Sequence, residues 1–427
     1  MSMTDFQISR RSFLRLCGTT LLAWGLNPLP DLTSIARAAS EDTSLDAAYI
    51  RQLITTDSSR SRLIMWQSTE AEGTAEVVWR LRGKTQLSGT APAAADAFNY
   101  DGVSCYLHTA RIQDLTPGHS YQYRVRTGDT GTPWYSLTTP SGSSFQALIF
   151  PDSQSSDNYV GWHDLAQGAA ARCPEAGFFI NMGDLVDNGA DHKQWNDWFN
   201  ALAGIIDRIP IAPVMGNHET YNRAWERQLP YTYLHDFMPP DNGSTRFPRY
   251  YYSFDYGPVH FIVLNTQWEE LDPTRPGILD EQRDWLLRDA AASHQPWKIV
   301  LMHKDIINYD NLQGKEPLAD IDPVGRVFMP LFDELKIDAV LTAHQHTYRR
   351  RGHILNFQPS DHGPFYICTG NAGNVYYPNI PSARFDLYTP PQPEGGNYLT
   401  LNATPSQLHF QDYSQAGTLM DQARLQK

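Results

Sequence analysis

The sequence predicts an α+β protein in which an all-β region precedes a larger region of alternating strands and helices. Between residues 45 and 140, short runs of alternating apolar and polar residues are separated by turn residues, a pattern typical of β-strands. From 145 to 427, apolar strand-like runs alternate with segments of helical periodicity. A stretch rich in Ser, Thr, Gly and Pro at 138–144 separates the two patterns. We therefore predict two domains, at 45–140 and 145–427.

The first 38 residues have the pattern of an export signal. The relevant segments, in order, are Ser9–Arg15 with paired Arg10 and Arg11, the apolar run Leu16–Leu26, and Ala36–Ala38. Paired arginines before a short apolar run and a small-residue cleavage site are typical of a twin-arginine signal peptide. We predict such a peptide at 1–38, recognition by the twin-arginine export machinery, and a periplasmic or secreted mature protein. The apolar run is too short for a membrane span, and no later segment approaches one.

The all-β region carries a recognisable corner motif. Its predicted strands are Ser61–Gln67, Thr74–Leu81 and Cys105–Ile112, and the Ala-rich residues 91–97 are predicted to form a loop. Leu115–Tyr123 resembles the corner of fibronectin type III domains, where a tyrosine hydrogen-bonds back across two strands. The region is therefore predicted to be a fibronectin type III-like sandwich in which Tyr121 is structural.

In the second region, polar segments with metal-ligand side chains follow five predicted strands. The segments are Asp152 after 148–150, Asp184 after 178–180, Asn217-His218-Glu219 after 211–215, His303 after 299–302, and His344-Gln345-His346 after 339–341. Strand carboxyl ends meet at one edge of an open α/β sheet, so these side chains are expected to gather there. Carboxylate, carboxamide and imidazole groups suit zinc, manganese or iron. Two ions fit better than one, because a bridging carboxylate can hold two cations close together.

The five ordered segments resemble those of calcineurin-like metallophosphoesterases, and more narrowly those of purple acid phosphatases. The last three blocks read Gly-Asn-His-Glu at 216–219, Val-Leu-Met-His at 300–303 and Ala-His-Gln-His at 343–346. The resemblance implies a four-layer αββα sandwich with two divalent or trivalent ions (Fe, Mn or Zn) at one edge between its sheets. It also implies the ligands: Asp152 and His346 for the first metal, Asp184 as the bridge, and Asn217, His303 and His344 for the second.

Two departures from the purple acid phosphatase pattern concern the first metal. The tyrosine that gives those enzymes their colour would fall at Asp187, so no purple charge-transfer band is expected. Gln154 stands where many metallophosphoesterases have a second histidine ligand, and it offers only a weak neutral oxygen. Either Gln154 or Asp187 could complete the first site. We favour a different role for Asp187, in which it pairs with His218 and orients that imidazole.

The resemblance also assigns residues to the substrate. It places Asn217 and His218 at the phosphate, where His218 could stabilise charge or protonate the leaving oxygen. Glu219 is expected to orient this loop, and Tyr221 and Tyr348 are expected to bind substrate because they adjoin ligand blocks. Arg349–Arg351 is either a cationic wall of the site or a solvated surface run.

Taken together, the resemblance implies an exported hydrolase of small phosphate esters that acts through a metal-bound hydroxide, most closely an acid phosphatase-like phosphomonoesterase. A phosphodiesterase or nucleotide-cleaving hydrolase is the alternative, and an inactive cell-envelope binding protein is the third hypothesis. The formal net charge of −13 argues against binding to a nucleic-acid backbone. Cys105, Cys173 and Cys368 remain after signal removal, and their odd number predicts no disulfide framework.

Overall fold

The computed structural model describes residues 45–70, 74–377 and 380–427. The predicted signal peptide at 1–38 lies outside these residues. Ser44–Lys427 forms one compact unit. Among the described residues, every helix is too short or too polar to cross a bilayer. The three cysteines in this part of the chain are free, in agreement with the predicted lack of a disulfide framework.

The N-terminal region is built of strands alone within its described residues. They are β1 (Ala48–Leu53), β2 (Arg62–Ser68), β3 (Ala75–Leu81), β4 (Gly89–Pro92), β5 (Ala94–Tyr100), β6 (Val103–Ile112), β7 (Ser120–Thr127), β8 (Thr130–Gly131) and β9 (Tyr135–Thr138). Strands β4, β3, β7 and β8 form one sheet, with β9 paired to β7. Ile64, Trp66, Val77 and Tyr123 are fully buried in the core of this region, so the predicted all-β character is confirmed.

The prediction of a loop at 91–97 is wrong, because all of these residues except Ala93 belong to β4 or β5. Ala94–Tyr100 pairs antiparallel with Val103–Ile112 along its whole length. The two strands are joined at Asp101 and Gly102, whose φ angles of 50° and 78° suit a tight hairpin turn. Cross-strand pairing thus overrides the low β-propensity of alanine.

The predicted structural role of Tyr121 agrees with its contacts. The backbone N–H of Thr116 donates to the Tyr121 hydroxyl oxygen at 3.0 Å, and the Tyr121 side chain is buried. The tyrosine thereby ties the start of β7 to the turn that precedes it.

Strands and helices alternate in the second region. The strands are β10 (Phe145–Phe150), β11 (Ala176–Asn181), β12 (Ile211–Pro213), β13 (Tyr252–Tyr256), β14 (Val259–Leu264), β15 (Trp297–Met302), β16 (Ala339–Thr342), β17 (Tyr348–Leu355), β18 (Gln358–Ser360), β19 (Phe365–Thr369), β20 (Asn397–Thr404), β21 (Gln407–Ser414) and β22 (Leu419–Gln426). The helices are α1 (Val160–Arg172), α2 (His192–Ala201), α3 (Tyr231–Asp236), α4 (Trp268–Leu271), α5 (Ile278–Ala292) and α6 (Pro323–Glu334). Short 3-10 turns occur at His218–Thr220 and Tyr309–Asn311.

Two mixed sheets organise this region. Over the described residues, one has the order β22-β21-β20-β10-β11-β12-β1-β2-β6-β5, and the other has the order β13-β14-β15-β16-β19-β17-β18. Apolar side chains of both sheets, among them Ile149, Phe178, Phe261, Leu301 and Leu341, share one buried core. Strands β10, β11 and β12 of the first sheet are parallel neighbours, as are β14, β15, β16 and β19 of the second. The loops that follow these strands therefore collect at one edge.

The first sheet runs through both regions of the chain. β1 pairs in parallel with β12, with Leu53 opposite Ile211. The Ile54 N–H donates to the Ile211 carbonyl at 3.1 Å, and the Gln52 N–H donates to the Ile206 carbonyl at 2.8 Å. The N-terminal region is thus joined by backbone hydrogen bonds to the strand that leads into the Gly-Asn-His-Glu block.

Candidate metal centre and active site

The predicted ligands lie in loops that follow central strands of both sheets. Asp152 follows β10, Asp184 follows β11, Asn217 follows β12, His303 follows β15, and His344 and His346 follow β16. The apolar strands are buried and leave their carboxyl ends at a common edge. The fold therefore brings together side chains that are almost two hundred residues apart in the chain.

Asp184 belongs to two overlapping groups of candidate ligands. Its carboxylate groups with Asp152 and His346, and separately with His303 and His344; within each group the ligand atoms lie within 4.8 Å of one another. A shared carboxylate between two ligand groups is the arrangement that a bridged pair of cations needs. The carboxylates are fully buried, so a cation there would be held largely away from water.

The second group converges on the Nε2 atom of His303. This atom lies 3.1 Å from Asp184 Oδ2, 3.2 Å from Asn217 Oδ1 and 3.3 Å from His344 Nδ1. Two oxygens and two nitrogens around a common point match the mixed ligand set predicted from the sequence. The carboxamide of Asn217 thus lies among the imidazoles and the shared carboxylate.

Two of the histidines are oriented by backbone carbonyls. His303 Nδ1 donates to the Met182 carbonyl at 2.9 Å, and His346 Nδ1 donates to the Val375 carbonyl at 2.6 Å. A carbonyl oxygen only accepts, so Nδ1 carries a proton in both rings and Nε2 is the nitrogen that faces the carboxylates and could ligate a cation. Hydrogen bonds of this kind hold ligand histidines in position in metal sites.

The two buried carboxylates differ in pKa. Burial raises the pKa of Asp152, although His346 and His303 partly oppose it. Burial would also raise the pKa of Asp184, but the imidazoles of His303 and His218 outweigh that effect and lower it. Burial, with the adjacent His303, lowers the pKa of His344 to about 3. Asp184 is therefore the carboxylate best kept ionised, and His344 stays neutral and able to ligate at ordinary pH.

The backbone at the site is strained. Asp184, His344 and His346 have φ angles of 50°, 69° and 50°, in the left-handed region that side-chain-bearing residues seldom adopt. The neighbouring glycines allow close approach: a Cβ on Gly183 would lie 2.5 Å from His303 Nδ1, and one on Gly216 would lie 2.1 Å from Asp184 Oδ1. Conformations this restricted indicate that the positions of these side chains are held by the surrounding fold.

Glu219 orders the loops that carry the ligands. Its Oε2 accepts the N–H groups of Gly216 at 2.7 Å and Asp184 at 3.0 Å, and its Oε1 accepts the Leu185 N–H at 2.8 Å. Burial, together with the nearby Asp184 charge, raises the pKa of Glu219 to about 7. The expected loop-orienting role of Glu219 agrees with these contacts.

Gln154, beside His218, is a buried side chain whose amide oxygen, Oε1, has no hydrogen-bond partner among the described residues. Its Nε2 lies 3.1 Å from His218 Nε2. The side chain is only 1% exposed. A buried amide oxygen without a partner is costly, and a bound cation is one group that could satisfy it.

His218 is held mainly by a carbonyl of residue 187. Its Nδ1 lies 2.5 Å from the Asp187 backbone oxygen and 3.9 Å from the Asp187 carboxylate. Its Nε2 lies 3.8 Å from Asp184 Oδ2. Burial lowers the pKa of His218, but Asp184 and the Asp187 carbonyl outweigh it and raise the pKa overall. The imidazole is thus favoured in its protonated form beside the shared carboxylate.

Among the predicted substrate residues, Tyr221 and Tyr348 occupy different environments. Tyr221 is half-buried in the loop after the Gly-Asn-His-Glu block, with its ring 6.1 Å from that of Trp225. Tyr348 is 2% exposed, and its hydroxyl donates to Asp421 at 3.0 Å. The prediction that Tyr348 contacts substrate does not agree with this buried position, because β17 packs the ring into the core between the sheets.

The Arg349–Arg351 run fits neither of its two predicted roles. Arg351 donates to both oxygens of Asp305 at 2.6 Å, Arg349 donates to Glu394 at 2.8 Å, and Arg350 donates to Asp421 at 2.7 Å. The side chains of Arg349 and Arg351 are almost fully buried. The run is neither solvated nor free to bind phosphate, because each arginine already pairs with a carboxylate.

Two aromatic residues at the site had no signal in the ligand motifs. The Trp225 ring lies 5.5 Å from the His218 ring at an interplanar angle of 89°, and Tyr377 stacks on His346 with ring centroids 4.5 Å apart. Both are about half exposed. The proximity of Trp225 to Tyr221 in sequence could have suggested its place, whereas Tyr377 lies thirty-one residues beyond His346, where the last ligand block ends.

A cavity of about 250 Å³ adjoins the second ligand group. Its lining includes Trp268, Lys304, Tyr309 and the candidate ligand His344. Lys304 Nζ donates to both oxygens of Glu270, at 2.8 and 3.0 Å. The cavity borders His344, and its lysine is already paired with a carboxylate.

Both regions of the chain are similar to known protein families. The profile described as Calcineurin-like phosphoesterase matches residues 128–348, more than half of the chain, and that described as Purple acid Phosphatase, N-terminal domain matches residues 49–139. Purple acid phosphatase 15 of Arabidopsis thaliana is 24% identical over 70% of this chain and 55% of its own length. Acid phosphatase type 7 of Mus musculus is 26% identical over 68% of this chain and 70% of its own.

The chain thus spans just over half the length of the Arabidopsis relative. Among solved structures, a purple acid phosphatase from yellow lupin (Lupinus luteus) seeds superposes with a TM-score of 0.74 at 18% identity, covering 89% of this chain and 74% of the lupin chain. This similarity supports the fold over both regions.

Proposed function

Because the chain belongs to the calcineurin-like phosphoesterase family, we propose that it is a binuclear-metal phosphoesterase, most closely an acid phosphatase-like phosphomonoesterase. The observation that carries the proposal is the position of Asp184, which is shared by two groups of candidate ligands. Similarity to proteins named purple acid phosphatases over 70% of the chain supports it. The N-terminal region is proposed to be fibronectin type III-like and the second region a four-layer αββα sandwich.

The residues present fit two metal ions. Asp152, His346 and Asp184 would hold the first, and Asn217, His303, His344 and Asp184 would hold the second. The partnerless Oε1 of Gln154 supports its assignment as a further ligand of the first metal. Asp187 would orient the imidazole of His218 mainly through its backbone carbonyl, 2.5 Å from Nδ1, while its carboxylate lies 3.9 Å from the same atom. The identity of the ions as Fe, Mn or Zn stays open in this proposal.

Bound cations would neutralise phosphate charge and lower the pKa of a water molecule, which supplies the nucleophile for in-line displacement at phosphorus. The chain itself provides the remaining groups. Asn217 and His218 lie in the same loop, and their side chains would contact the phosphate of a small ester. His218, with its pKa raised beside Asp184, would protonate the oxygen of the leaving alcohol. Glu219 would keep both residues in position through its backbone contacts.

The proposal is tested by measuring metal content and turnover on the same purified protein. Mass spectrometry should find about two transition-metal ions per chain. Para-nitrophenyl phosphate should be hydrolysed faster than bis-para-nitrophenyl phosphate if the enzyme is a phosphomonoesterase. A preference for the diester would instead indicate a phosphodiesterase or nucleotide-cleaving hydrolase. Absence of both metal and turnover would favour a cell-envelope binding protein.

We also propose that the chain is exported by the twin-arginine route to the periplasm or beyond. Support comes from Arg10 and Arg11 ahead of the short apolar run, which lie outside the described residues. Replacing both with lysine should leave the precursor in the cytoplasm. Normal appearance of the mature protein in the periplasm would contradict the route without affecting the proposed chemistry.

A further inference from the structure

Trp225 is held at the site in a conformation that its own burial does not explain. The side chain is 53% exposed, although tryptophan is among the side chains that gain most from burial. Its φ of 61° lies in the left-handed region, which is an outlier for a bulky residue. A strained and exposed aromatic residue next to reacting groups is typical of a position kept for binding.

The loop that carries Trp225 is organised by Asn222. The Trp225 N–H donates to the Asn222 carbonyl at 2.9 Å. The Asn222 Oδ1 accepts the N–H groups of Ala224 at 2.8 Å and Glu226 at 2.9 Å. Asn188 Nδ2 in turn donates to the Asn222 carbonyl at 2.7 Å. These bonds hold the backbone of Trp225 in its unusual conformation before any ligand arrives.

Side chains on either side of Trp225 attach the same loop to the rest of the protein. Arg223 pairs with Asp101 at 2.6 Å, and Arg227 donates to the Glu269 carbonyl at 2.9 Å. The half-buried Tyr221 ring lies on one side of the indole, 6.1 Å away and tilted by 50°. The indole is therefore supported from behind while more than half of it remains open to solvent.

The position of the indole relative to His218 determines what it can meet. The two rings are 5.5 Å apart and nearly perpendicular. His218 Nε2 lies 3.8 Å from the shared carboxylate of Asp184, so the leaving group of a phosphate ester held at the ligand groups comes within reach of the exposed indole. A flat ring in the leaving group would stack there, whereas a small alkyl chain would gain little.

We propose that Trp225 is a stacking platform for planar aromatic leaving groups, so that the enzyme prefers phosphate esters of aryl alcohols or nucleosides over those of small alkyl alcohols. This inference rests on the proposed phosphoesterase function and names its substrate class. It makes Trp225 a specificity residue, which binds the leaving group without taking part in bond breaking.

The test compares three substrates with the metal-loaded enzyme: phenyl phosphate, adenosine 5′-monophosphate and glycerol 3-phosphate. Trp225→Ala should lower kcat/KM about 10-fold to 100-fold for the ring-bearing esters. The loss for glycerol 3-phosphate should stay below about 3-fold, since that ester has no ring to stack. Trp225→Phe should recover most of the loss. Leu387→Ala, which truncates another exposed apolar side chain, beside Gly352, is the matched control and should change none of the three values.

Comparing phenyl phosphate with adenosine 5′-monophosphate distinguishes aryl from nucleoside leaving groups. A loss confined to phenyl phosphate assigns the platform to aryl esters, and a loss confined to the nucleotide assigns it to nucleosides. Equal losses for all three substrates, or no loss for any, would overturn the inference while leaving the proposed function intact.

A binding measurement keeps the inference testable if the proposed function fails. Phenylphosphonate and methylphosphonate cannot be hydrolysed at an ester bond, and calorimetry gives their affinities directly. The wild-type protein should bind phenylphosphonate about 10-fold more tightly, and Trp225→Ala should abolish that preference. Lack of hydrolysis of all three esters with this preference present would reject only the proposed function. Lack of the preference in the wild type would reject the platform.

Discussion

Two buried clusters of charged residues use their carboxylates differently. In the arginine cluster, Arg351 meets both oxygens of Asp305 at 2.6 Å and Asp386 at 3.2 Å. In the metal-ligand cluster, the nearest charged partners of Asp152 and Asp184 among the described residues are histidines. The two clusters are adjacent in the chain: His303 belongs to the metal-ligand cluster, and Asp305, two residues later, belongs to the arginine cluster. A buried carboxylate with an arginine is satisfied, whereas one that faces imidazoles and a carboxamide can accept a cation.

The largest effect should come from removing the shared carboxylate. Asp184→Ala should release metal and lower turnover by roughly three or more orders of magnitude, because two close cations lose the ligand that screens their repulsion. Metal analysis by mass spectrometry and steady-state rates measure both quantities. Asp280→Ala, in an exposed pair with Arg283, is the control and should keep both. Full metal occupancy in the Asp184 variant would contradict the bridging role.

The next effect should come from His218, which borders the cluster without belonging to either candidate ligand group. His218→Ala should lower turnover by roughly two to four orders of magnitude while both metals stay bound. The loss should be greatest for poor leaving groups such as alkoxides, since nitrophenolate departs without a proton. Rates for alkyl and nitrophenyl phosphates measure the difference. Equal losses would indicate that His218 positions phosphate, and loss of a metal would place it among the ligands.

Breaking the arginine cluster should change stability instead of chemistry. Asp305→Ala leaves the Arg351 guanidinium buried without its two strongest bonds, and the unfolding free energy should fall by roughly 3–5 kcal/mol. Urea titration of the purified protein measures this loss. The same titration on Asp280→Ala should show less than about 1 kcal/mol, because that ion pair is exposed. A comparable loss in both variants would mean that burial of the Asp305 pair is not the cause.

The smallest effect tests an imidazole held between carboxylates away from the metal-ligand cluster. His260 lies 2.7 Å from Asp255 and 2.9 Å from Asp289. Burial lowers its pKa, but the two carboxylates outweigh burial and raise it to about 9 from 6.5. Since the folded pKa is the higher, the stabilisation is complete below about pH 6.5 and is lost as pH rises through about 9. We expect the charged imidazole to contribute about 1–2 kcal/mol to the free energy of unfolding, because solvent screens its interaction with the partly exposed Asp255.

The measurement compares unfolding of the wild type and His260→Gln in urea at pH 6 and pH 9.5. The difference between the two proteins should shrink at the higher pH, since the wild-type imidazole is then neutral. A difference that is the same at both values would show that the ring is not charged in the folded protein.

The positions of the candidate ligands were predictable because each follows a recognisable apolar strand. The runs before Asp152, Asp184 and His303 appear in the structure as β10, β11 and β15. A continuous apolar run identifies a strand buried on both faces, and parallel strands align their carboxyl ends. The order of the blocks then supplied the family resemblance. The strands and the residues that follow them depend only on the local sequence and on chain direction, so both can be read from the sequence itself.

Other features depended on partners far away in the chain. The burial of Arg349 and Arg351 required Glu394, Asp305 and Asp386, none of which is marked by a local pattern. The Ala-rich strand β5 was missed because its pairing with β6 outweighed its composition, although Asp101-Gly102 was a usable turn signal. The backbone conformation at Trp225 depends on hydrogen bonds from the N–H groups of Ala224 and Glu226 to the Asn222 side chain. Hydrophobic periodicity in the sequence does not reveal such bonds.

The parallel pairing of β1 with β12 has a consequence for how this protein can be divided. A shorter chain that begins at residue 145 would lack β1 and would leave β12 as an open edge. Open edges of apolar strands recruit other chains and promote aggregation. The same strand leads into Asn217 and His218, so loss of the front region should also loosen the loop that carries these proposed site residues. Transplanting the half that carries the candidate metal ligands into another protein would therefore require a replacement strand along β12.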